Sequence, residues 1–223
     1  MNKKSIVVLA CECTSLTEEQ IFQAEHIFDA NVWQKIKKRP PQKLKQSVAA
    51  QLALVYAVNM INDALPHNVK TEYLPNGKPF LKSFPNLHIS KSHSGELAGA
   101  AVGVSPLGLD VQVQAVFKNR LAECVLCKNE IEFITHADNP DEMFTRLFCA
   151  KEAWGKVSGA GLTGSKHKEL IPSGKDLLCM GEDLQCTLWK QDDITCCFCG
   201  NDAPQIHVFK AVQLAEWFIK IYE

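Results

Sequence analysis

Two short segments, separated by about forty residues, constrain the fold of this chain more than any other feature. Residues 108–112 have the sequence GLDVQ, whose alternation of apolar and polar residues predicts a β-strand. Because successive side chains of a strand point to opposite faces, Asp110 and Gln112 should share one face. Residues 148–156 have the sequence FCAKEAWGK and predict a helix. The chain should therefore combine helices with a sheet, one strand of which has a polar face.

The predicted helix has a carboxylate and an ammonium group on one side. Glu152 and Lys156 are four residues apart, a spacing at which helical side chains are neighbours. Together with Asp110 they could meet one phosphorylated ligand that is held by magnesium. The same pattern is typical of a solvated strand end and an exposed ion pair, which stabilises a helix by only about 0.2–0.5 kcal/mol. These residues alone leave both interpretations open.

The composition excludes several classes of protein. With 223 residues the chain can form one large domain or two halves that bury an apolar core. Its net charge of −1 gives no global attraction to nucleic acid or to a membrane surface. No apolar run approaches the roughly 20 residues of a membrane-spanning helix. We therefore expect a protein that binds neither nucleic acid nor membrane. We also expect a monomer.

The ten cysteines predict reduced thiols in the cytoplasm rather than a disulfide framework, because no convincing signal peptide precedes them. Zinc binding is the alternative. Residues 124–127 have the CxxC spacing, and three cysteines lie within residues 196–199. The second group lies on a predicted strand, however, and buried cysteine commonly packs as a small apolar residue. A zinc-dependent structural protein stays the minor hypothesis.

A basic segment is the local exception to the balanced charge. Residues 34–45 contain six lysine or arginine residues and no acidic residue. A solvated loop and an anion-binding patch explain this composition equally well.

The order of predicted elements divides the chain into two mixed halves, residues 1–105 and 106–223. In the first half we expect a strand at 5–11, helices at 17–28 and 44–63 with the basic loop between them, a turn at 75–77, and strands at 87–90 and 97–104. In the second half we expect a strand at 109–113, helices at 121–132 and 141–157, strands at 185–189, 194–199 and 205–208, and a helical tail.

Two further motifs have both functional and structural interpretations. Residues 90–95, SKSHSG, place hydroxyls and an imidazole at a strand end, where they suit phosphate oxygens better than a hydrolase that lacks the GxSxG elbow. Residues 159–164 match GxGxxG, but a helix precedes them where a dinucleotide fold requires a strand. We expect Gly159 to end that helix in the left-handed conformation.

Four segments together resemble one protein family. They are NGKP at 76–79, SHS at 92–94, GLDVQ at 108–112, and the segment at 148–156 followed by GAGL at 159–162. Their order and spacing resemble those of the Sfp-type 4′-phosphopantetheinyl transferases. The resemblance implies an α+β fold of two pseudo-symmetric α/β halves with the active site and a coenzyme A pocket between them.

The resemblance also implies an activity, the Mg²⁺-dependent transfer of 4′-phosphopantetheine from coenzyme A to a serine of an apo acyl or peptidyl carrier protein, with release of 3′,5′-ADP. Asp110, Gln112 and Glu152 would bind Mg²⁺. Glu152 would accept the serine proton, with Asp110 and Lys156 as the other catalytic residues. Coenzyme A would contact Arg39, Lys45, Lys78, Ser92, His93, Lys151 and Lys156.

One departure from the family pattern concerns the metal. Gln112 stands where the family often has glutamate, so one carboxylate is missing. An amide oxygen can still coordinate the metal or hold a water ligand. The alternative function is a non-catalytic module of the same fold that binds coenzyme A or a carrier protein.

Overall fold

In this computed structural model the described residues are 5–62, 68–166, 168–173, 176–179 and 184–222. They form an α+β structure that divides into two units, Met1–Ser105 with Pro204–Glu223, and Pro106–Ala203. In chain order the described elements are β1 (Ile6–Cys11), α1 (Glu18–Gln23), α2 (Ala30–Ile36), α3 (Pro41–Asn62), β2 (Thr71–Tyr73), β3 (Pro79–Leu81), β4 (His88–Ser94), β5 (Leu97–Gly103), β6 (Gly108–Gln112), α4 (Asn119–Val125), α5 (Lys128–Thr135), α6 (Pro140–Ser158), α7 (Gly161–Ser165), β7 (Leu170–Ser173), β8 (Asp176–Cys179), β9 (Gln185–Gln191), β10 (Ile194–Gly200), β11 (Gln205–Lys210) and α8 (Ala211–Tyr222).

The first unit is a long helix packed on a four-stranded sheet with the order β11-β1-β5-β4. Strand β1 pairs parallel with β11 and antiparallel with β5, and β4 and β5 form a hairpin. Helix α3 is apolar around most of its circumference, so it is buried both against the sheet and against α8. Neither α3 nor any other helix of the described ranges is long and apolar enough to cross a membrane.

The helix starts in the first unit follow local sequence signals. The predicted helix start at Thr17 is confirmed, and Thr17 caps α1 in a capping box with Gln20. The predicted basic loop is only partly a loop, because Asp29 caps α2, which buries Trp33 and Ile36. Helix α3 begins at Pro41, earlier than predicted, because proline is well suited to the first turn of a helix.

The second unit repeats the plan with α6 packed on a five-stranded sheet of order β6-β10-β9-β8-β7. Gly159 ends α6 with a φ of 76°, which confirms its predicted role. The single helix expected at 121–132 is instead two helices, because Cys127 leaves the helical conformation and caps α5 together with Glu130. Strands β7 and β8 were not predicted from the sequence.

The end of the chain returns to the first unit, whereas the sequence analysis placed it in the second half. The physical reason is pairing and burial. Strand β11 pairs with β1 along its whole length. Helix α8 packs on α3 and buries Leu214 and Phe218 in the core of the first unit.

Candidate functional site

Strand β6 presents its polar residues on one face, as the alternation predicted. Asp110 lies opposite Cys197 of β10, and Gln112 lies opposite Thr195. Only 5% of Asp110 is exposed, and Gln112 is half-buried. A carboxylate so deeply buried requires a partner, since transfer of an unpaired charge from water costs several kcal/mol.

Lys156 of α6 is that partner. Its Nζ lies 2.7 Å from Asp110 Oδ1 and donates to the carbonyl oxygen of Leu109 at 3.0 Å. The lysine side chain is 29% exposed, whereas the aspartate side chain is 7% exposed. The ion pair therefore links α6 to β6, and its lysine end is open to solvent.

Glu152 lies one turn before Lys156 on α6 and is half-buried. Burial raises the pKa of the Glu152 carboxyl, and the negative charge of Asp110 raises it further, while the charge of Lys156 lowers it. The structure thus brings two carboxylates and one ammonium group together from a strand and a helix that are distant in sequence.

This donor set is consistent with a bound Mg²⁺ ion. The mutual repulsion of Asp110 and Glu152 would be relieved by a divalent cation, and Gln112 adds an amide on the same face of β6. Magnesium usually takes one or two protein carboxylates together with water and substrate phosphates. Within the described ranges no group of three or more His, Cys, Asp or Glu side chains could hold a metal ion.

Two glycines that the sequence analysis did not single out allow the close packing around this site. A Cβ atom on Gly108 would overlap the carbonyl oxygen of Ala153, so β6 can approach α6 only without a side chain there. A Cβ atom on Gly155 would lie 2.6 Å from the carbonyl oxygen of Gly161. A glycine inside a helix lowers helix stability by about 1 kcal/mol relative to alanine. The presence of Gly155 in a predicted helix was therefore a sequence signal that this position has a packing role.

Lys151 has a different environment from the one that the sequence predicted. Its ammonium group lies 2.9 Å from Glu130 Oε1, and each side chain is only 1% exposed. It also donates to the carbonyl oxygens of Ser165, Lys166 and Lys168. All its hydrogen-bonding capacity is thus used inside the unit, so Lys151 is corrected from a phosphate ligand to a structural residue.

Glu130 was not identified from the sequence, because nothing local marks it as buried. Its Oε1 accepts from the backbone N–H of Leu170, and its Oε2 accepts from that of Cys127. Glu130 and Lys151 therefore fix the start of α5 and the segment that leads into β7.

Cys149 lies beside Asp110 on the buried side of α6. Its thiol donates to the carbonyl oxygen of Thr195 at 3.6 Å. Burial raises the pKa of this thiol well above its usual value, and the negative charge of Asp110 adds to that effect. Because this thiol stays protonated, it packs against Asp110 as a neutral group. It does not bind a cation, since only the thiolate form is a metal ligand.

The expected coenzyme A ligands of the first unit have varied surroundings. Lys45 donates from Nζ to the carbonyl oxygen of Thr14 at 2.6 Å, and Arg39 donates to Ser47 Oγ at 3.0 Å. Burial lowers the pKa of the Lys78 ammonium group. These three cations belong to one unit, and Lys45 and Arg39 donate to acceptors within the protein.

Ser92 and His93 are consecutive residues of β4, so their side chains leave opposite faces of the sheet. His93 pairs with Ala98 and follows the α3-facing side of the strand, where Ile89 is part of the core. Ser92 pairs with Gly99 on the other face. The strand therefore separates two side chains that the sequence analysis had grouped together.

Comparisons with known proteins identify a family and several relatives of this chain. Residues 106–217, half of the chain, match the family model described as the 4′-phosphopantetheinyl transferase superfamily. The chain is 33% identical over 89 residues to the 4′-phosphopantetheinyl transferase ffp of Bacillus subtilis, a match that covers 39% of this chain and 40% of that protein. It is 30% identical over 90 residues to the 4′-phosphopantetheinyl transferase psf-1 of Bacillus pumilus, covering 40% of this chain and 39% of the relative.

The matches thus span about two fifths of the length of these curated relatives. Among solved structures, the holo-[acyl-carrier-protein] synthase (AcpS) of Thermotoga maritima aligns at 21% identity with a TM-score of 0.36, covering 42% of this chain and 61% of that chain.

Proposed function

This chain belongs to the 4′-phosphopantetheinyl transferase superfamily, and we propose that it transfers 4′-phosphopantetheine from coenzyme A to a serine hydroxyl of an acyl or peptidyl carrier protein. The proposal rests on the arrangement of three charged side chains. Asp110 is buried, its charge raises the pKa of Glu152, and Lys156 binds it at 2.7 Å, all within the region that matches the family. Two carboxylates and a lysine that converge in this way suit the handling of a pyrophosphate with a divalent cation.

Asp110 and Glu152 would hold Mg²⁺, with the Gln112 amide as a direct or water-mediated ligand. The bound ion would neutralise charge on the pyrophosphate of coenzyme A. Asp110 would be positioned for this task by the backbone pairing of β6 with β10 and by its contact with Lys156.

The protein side chains perform the rest of the reaction. The serine oxygen of the carrier attacks the phosphorus that bears pantetheine, the bond from that phosphorus to the 3′,5′-ADP oxygen breaks, and 3′,5′-ADP leaves. Glu152 would accept the serine proton as the general base. The Lys156 ammonium group stabilises the negative charge that develops on the leaving phosphate.

Contacts to coenzyme A from the first unit complete the proposal. They comprise Lys78, Ser92 and His93, with Arg39 and Lys45 from the basic segment, and they exclude Lys151. We place the reaction in the cytoplasm, which is consistent with free thiols at the nine cysteines whose side chains the structure describes.

Mass spectrometry of apo carrier proteins tests the activity. Incubation of an apo acyl carrier protein or an apo peptidyl carrier domain with coenzyme A, Mg²⁺ and this protein should add one phosphopantetheine to the carrier. Asp110→Ala and Glu152→Ala should each lower the rate by at least about 100-fold, because each removes a charge that acts in the transition state. Glu216→Ala, at an exposed position on α8, is the matched control and should leave the rate unchanged.

Gln112 motivates the second candidate, a module that binds coenzyme A or a carrier protein without turnover. Binding of coenzyme A with no mass shift on any carrier would favour this module over the transferase. Full activity in both alanine variants would refute the proposed roles of Asp110 and Glu152.

A further inference from the structure

Cys149 is a fully buried thiol beside the proposed metal site, and no step of the proposed reaction uses it. It lies on α6, three residues before Glu152 and seven before Lys156. At these spacings the side chains of a helix form one stripe, because one turn contains 3.6 residues. The stripe faces β6, since α6 packs on that strand and Lys156 reaches Asp110 at 2.7 Å. Cys149 therefore lies on the same side of α6 as the charged residues of the site.

The Cys149 thiol is close to two hydrogen-bond acceptors. Its Sγ donates to the carbonyl oxygen of Thr195 at 3.6 Å, and it is also within hydrogen-bonding reach of the Asp110 carboxylate. These acceptors belong to neighbouring strands, because Thr195 of β10 pairs with Gln112 of β6. Cys149 thus joins α6 to both strands beside the Asp110 side chain.

Asp110 has a second donor in Lys156, but that donor has another task. A carboxylate can accept several hydrogen bonds, because its two oxygens offer about four lone pairs. Lys156 donates to Oδ1 of Asp110, and in the proposed reaction its ammonium group also stabilises charge on the leaving phosphate. A lysine that turns towards this phosphate no longer fixes the carboxylate. The short, fully buried side chain of Cys149 can stay beside Asp110 throughout the reaction.

The two donors also differ in charge. An ammonium group beside Asp110 repels a divalent cation, whereas a neutral thiol can orient the carboxylate without opposing the ion. Groups that hydrogen-bond to a ligating side chain typically change metal affinity by about 10–100-fold. Because a thiol is a weak donor, we expect an effect at the lower end of this range.

We propose that Cys149 is a positioning residue, whose S–H group holds the Asp110 carboxylate in the orientation that binds Mg²⁺. Cys149 acts on the metal only through Asp110, and the assignment of Asp110 as a metal ligand rests on the proposed function. Loss of the S–H donor should therefore weaken metal binding, while the maximum rate at saturating Mg²⁺ changes little.

Variants of Cys149 that keep or remove the donor test this role. Cys149→Ser keeps a donor, whereas Cys149→Ala and Cys149→Val remove it, and valine also fills the space of the thiol. Titration with Mn²⁺ alone, followed by electron paramagnetic resonance, measures metal affinity without turnover. The Kd of Mn²⁺ should rise about tenfold in the alanine and valine variants, and should stay within about threefold of the wild type in the serine variant.

Two further measurements separate positioning from a merely structural role. In Cys149→Val the Mg²⁺ concentration that gives half the maximum transfer rate should rise about tenfold, and saturating Mg²⁺ should restore most of the rate. A merely structural role would lower the rate at every Mg²⁺ concentration. In the wild type, infrared difference spectroscopy on addition of Mg²⁺ should show a shifted S–H stretching band that Cys149→Ser lacks, because the ion changes the charge that this thiol faces.

Cys186→Val is the matched control. Cys186 is another fully buried thiol that packs on α6, where its Sγ lies 3.9 Å from the carbonyl oxygen of Ala150. This variant should bind Mn²⁺ as the wild type does, and thermal unfolding verifies that each variant is folded.

Three results would overturn the role of Cys149. They are wild-type affinity for Mn²⁺ in a folded alanine or valine variant, an S–H band of the wild type that Mg²⁺ leaves unchanged, and a wild type that binds no Mn²⁺, which would also refute the metal site. The infrared result needs only the wild type, so it decides the question even if the variants do not fold. The mass-spectrometric assay of the wild type tests the transferase function separately, since Mn²⁺ binding is measured without turnover.

Discussion

At the scale of single residues, burial and partners distinguish side chains that look equivalent in the sequence. Lys151 and Lys156 lie on the same helix, yet Lys151 is enclosed with Glu130, whereas Lys156 bridges to Asp110 and keeps contact with solvent. The first arrangement stabilises the unit, because each charge and donor is satisfied internally. The second leaves Glu152 with a raised pKa beside another carboxylate, a destabilising arrangement that is typical of functional sites.

Gln112→Glu should strengthen the proposed metal site, because it adds a third carboxylate on the face of β6 that carries Asp110. We expect transfer to saturate at a several-fold lower Mg²⁺ concentration than in the wild type. Without Mg²⁺ the variant should be less stable, since the added charge repels Asp110 and Glu152. Activity measured against Mg²⁺ concentration, together with thermal unfolding with and without the ion, tests both expectations. Loss of activity in a folded variant would show that the amide has a role of its own.

At the scale of elements, the distance between β6 and α6 controls whether the carboxylates can meet. Asp110 is positioned by strand pairing, and Glu152 by the register of α6. Gly108 and Gly155 are the positions where a side chain would collide with a neighbouring backbone. Backbone atoms cannot move aside as a flexible side chain can, so these glycines set how closely the elements pack.

Gly108→Ala should separate β6 from α6, because the added methyl group overlaps the carbonyl oxygen of Ala153. Overpacking of this kind typically costs about 1–3 kcal/mol of stability. A shift of about 1 Å at a reacting group can lower a rate by about 100-fold, so transfer should fall by at least tenfold.

Val58→Ala is the control for that loss of stability, because it removes buried methyl groups from the core of the first unit. Val58→Ala should retain the wild-type rate of phosphopantetheine transfer at a temperature where both it and Gly108→Ala are folded. Equal rates for the two variants would show that the packing of β6 on α6 does not limit the reaction.

At the scale of the whole molecule, the first unit is assembled from both ends of the chain. Its sheet requires β11, and its core requires the apolar face of α8. The boundary near residue 105 agrees with the order of predicted elements. Residues 204–222, however, belong to the first unit and not to the second. No local pattern could indicate this, because a strand and a helix have the same sequence signals whichever core they join.

Ending the chain after Ala203 should unfold the first unit. The truncation removes the parallel partner of β1 and the buried side chains of Leu214 and Phe218. Burial of one such side chain stabilises a fold by about 1.5–3 kcal/mol, and a whole domain is stable by only about 5–15 kcal/mol.

Hydrogen exchange followed by mass spectrometry measures the effect of this truncation, and amides of β1 and β5 should lose their protection. Glu216→Ala, which changes only the exposed side of α8, should leave protection within about 0.5 kcal/mol of the wild type. Retained protection of β1 in the truncated chain would contradict the role of the C-terminal segment.

Features that depend on near neighbours along the chain could be predicted from the sequence. The helix start at Thr17, the shared face of Asp110 and Gln112, and the left-handed Gly159 were all correctly expected. Each follows from sterics and hydrogen bonds within one turn or one strand, so a few residues suffice to specify it.

Features that depend on packing between distant segments required the folded structure. The sequence could not show that Lys151 is enclosed or that Gly108 touches Ala153. The charge state and accessibility of a side chain are set by the groups that surround it after water has been excluded. Those surroundings come from segments that chain order does not place together, so they emerge only when the core forms.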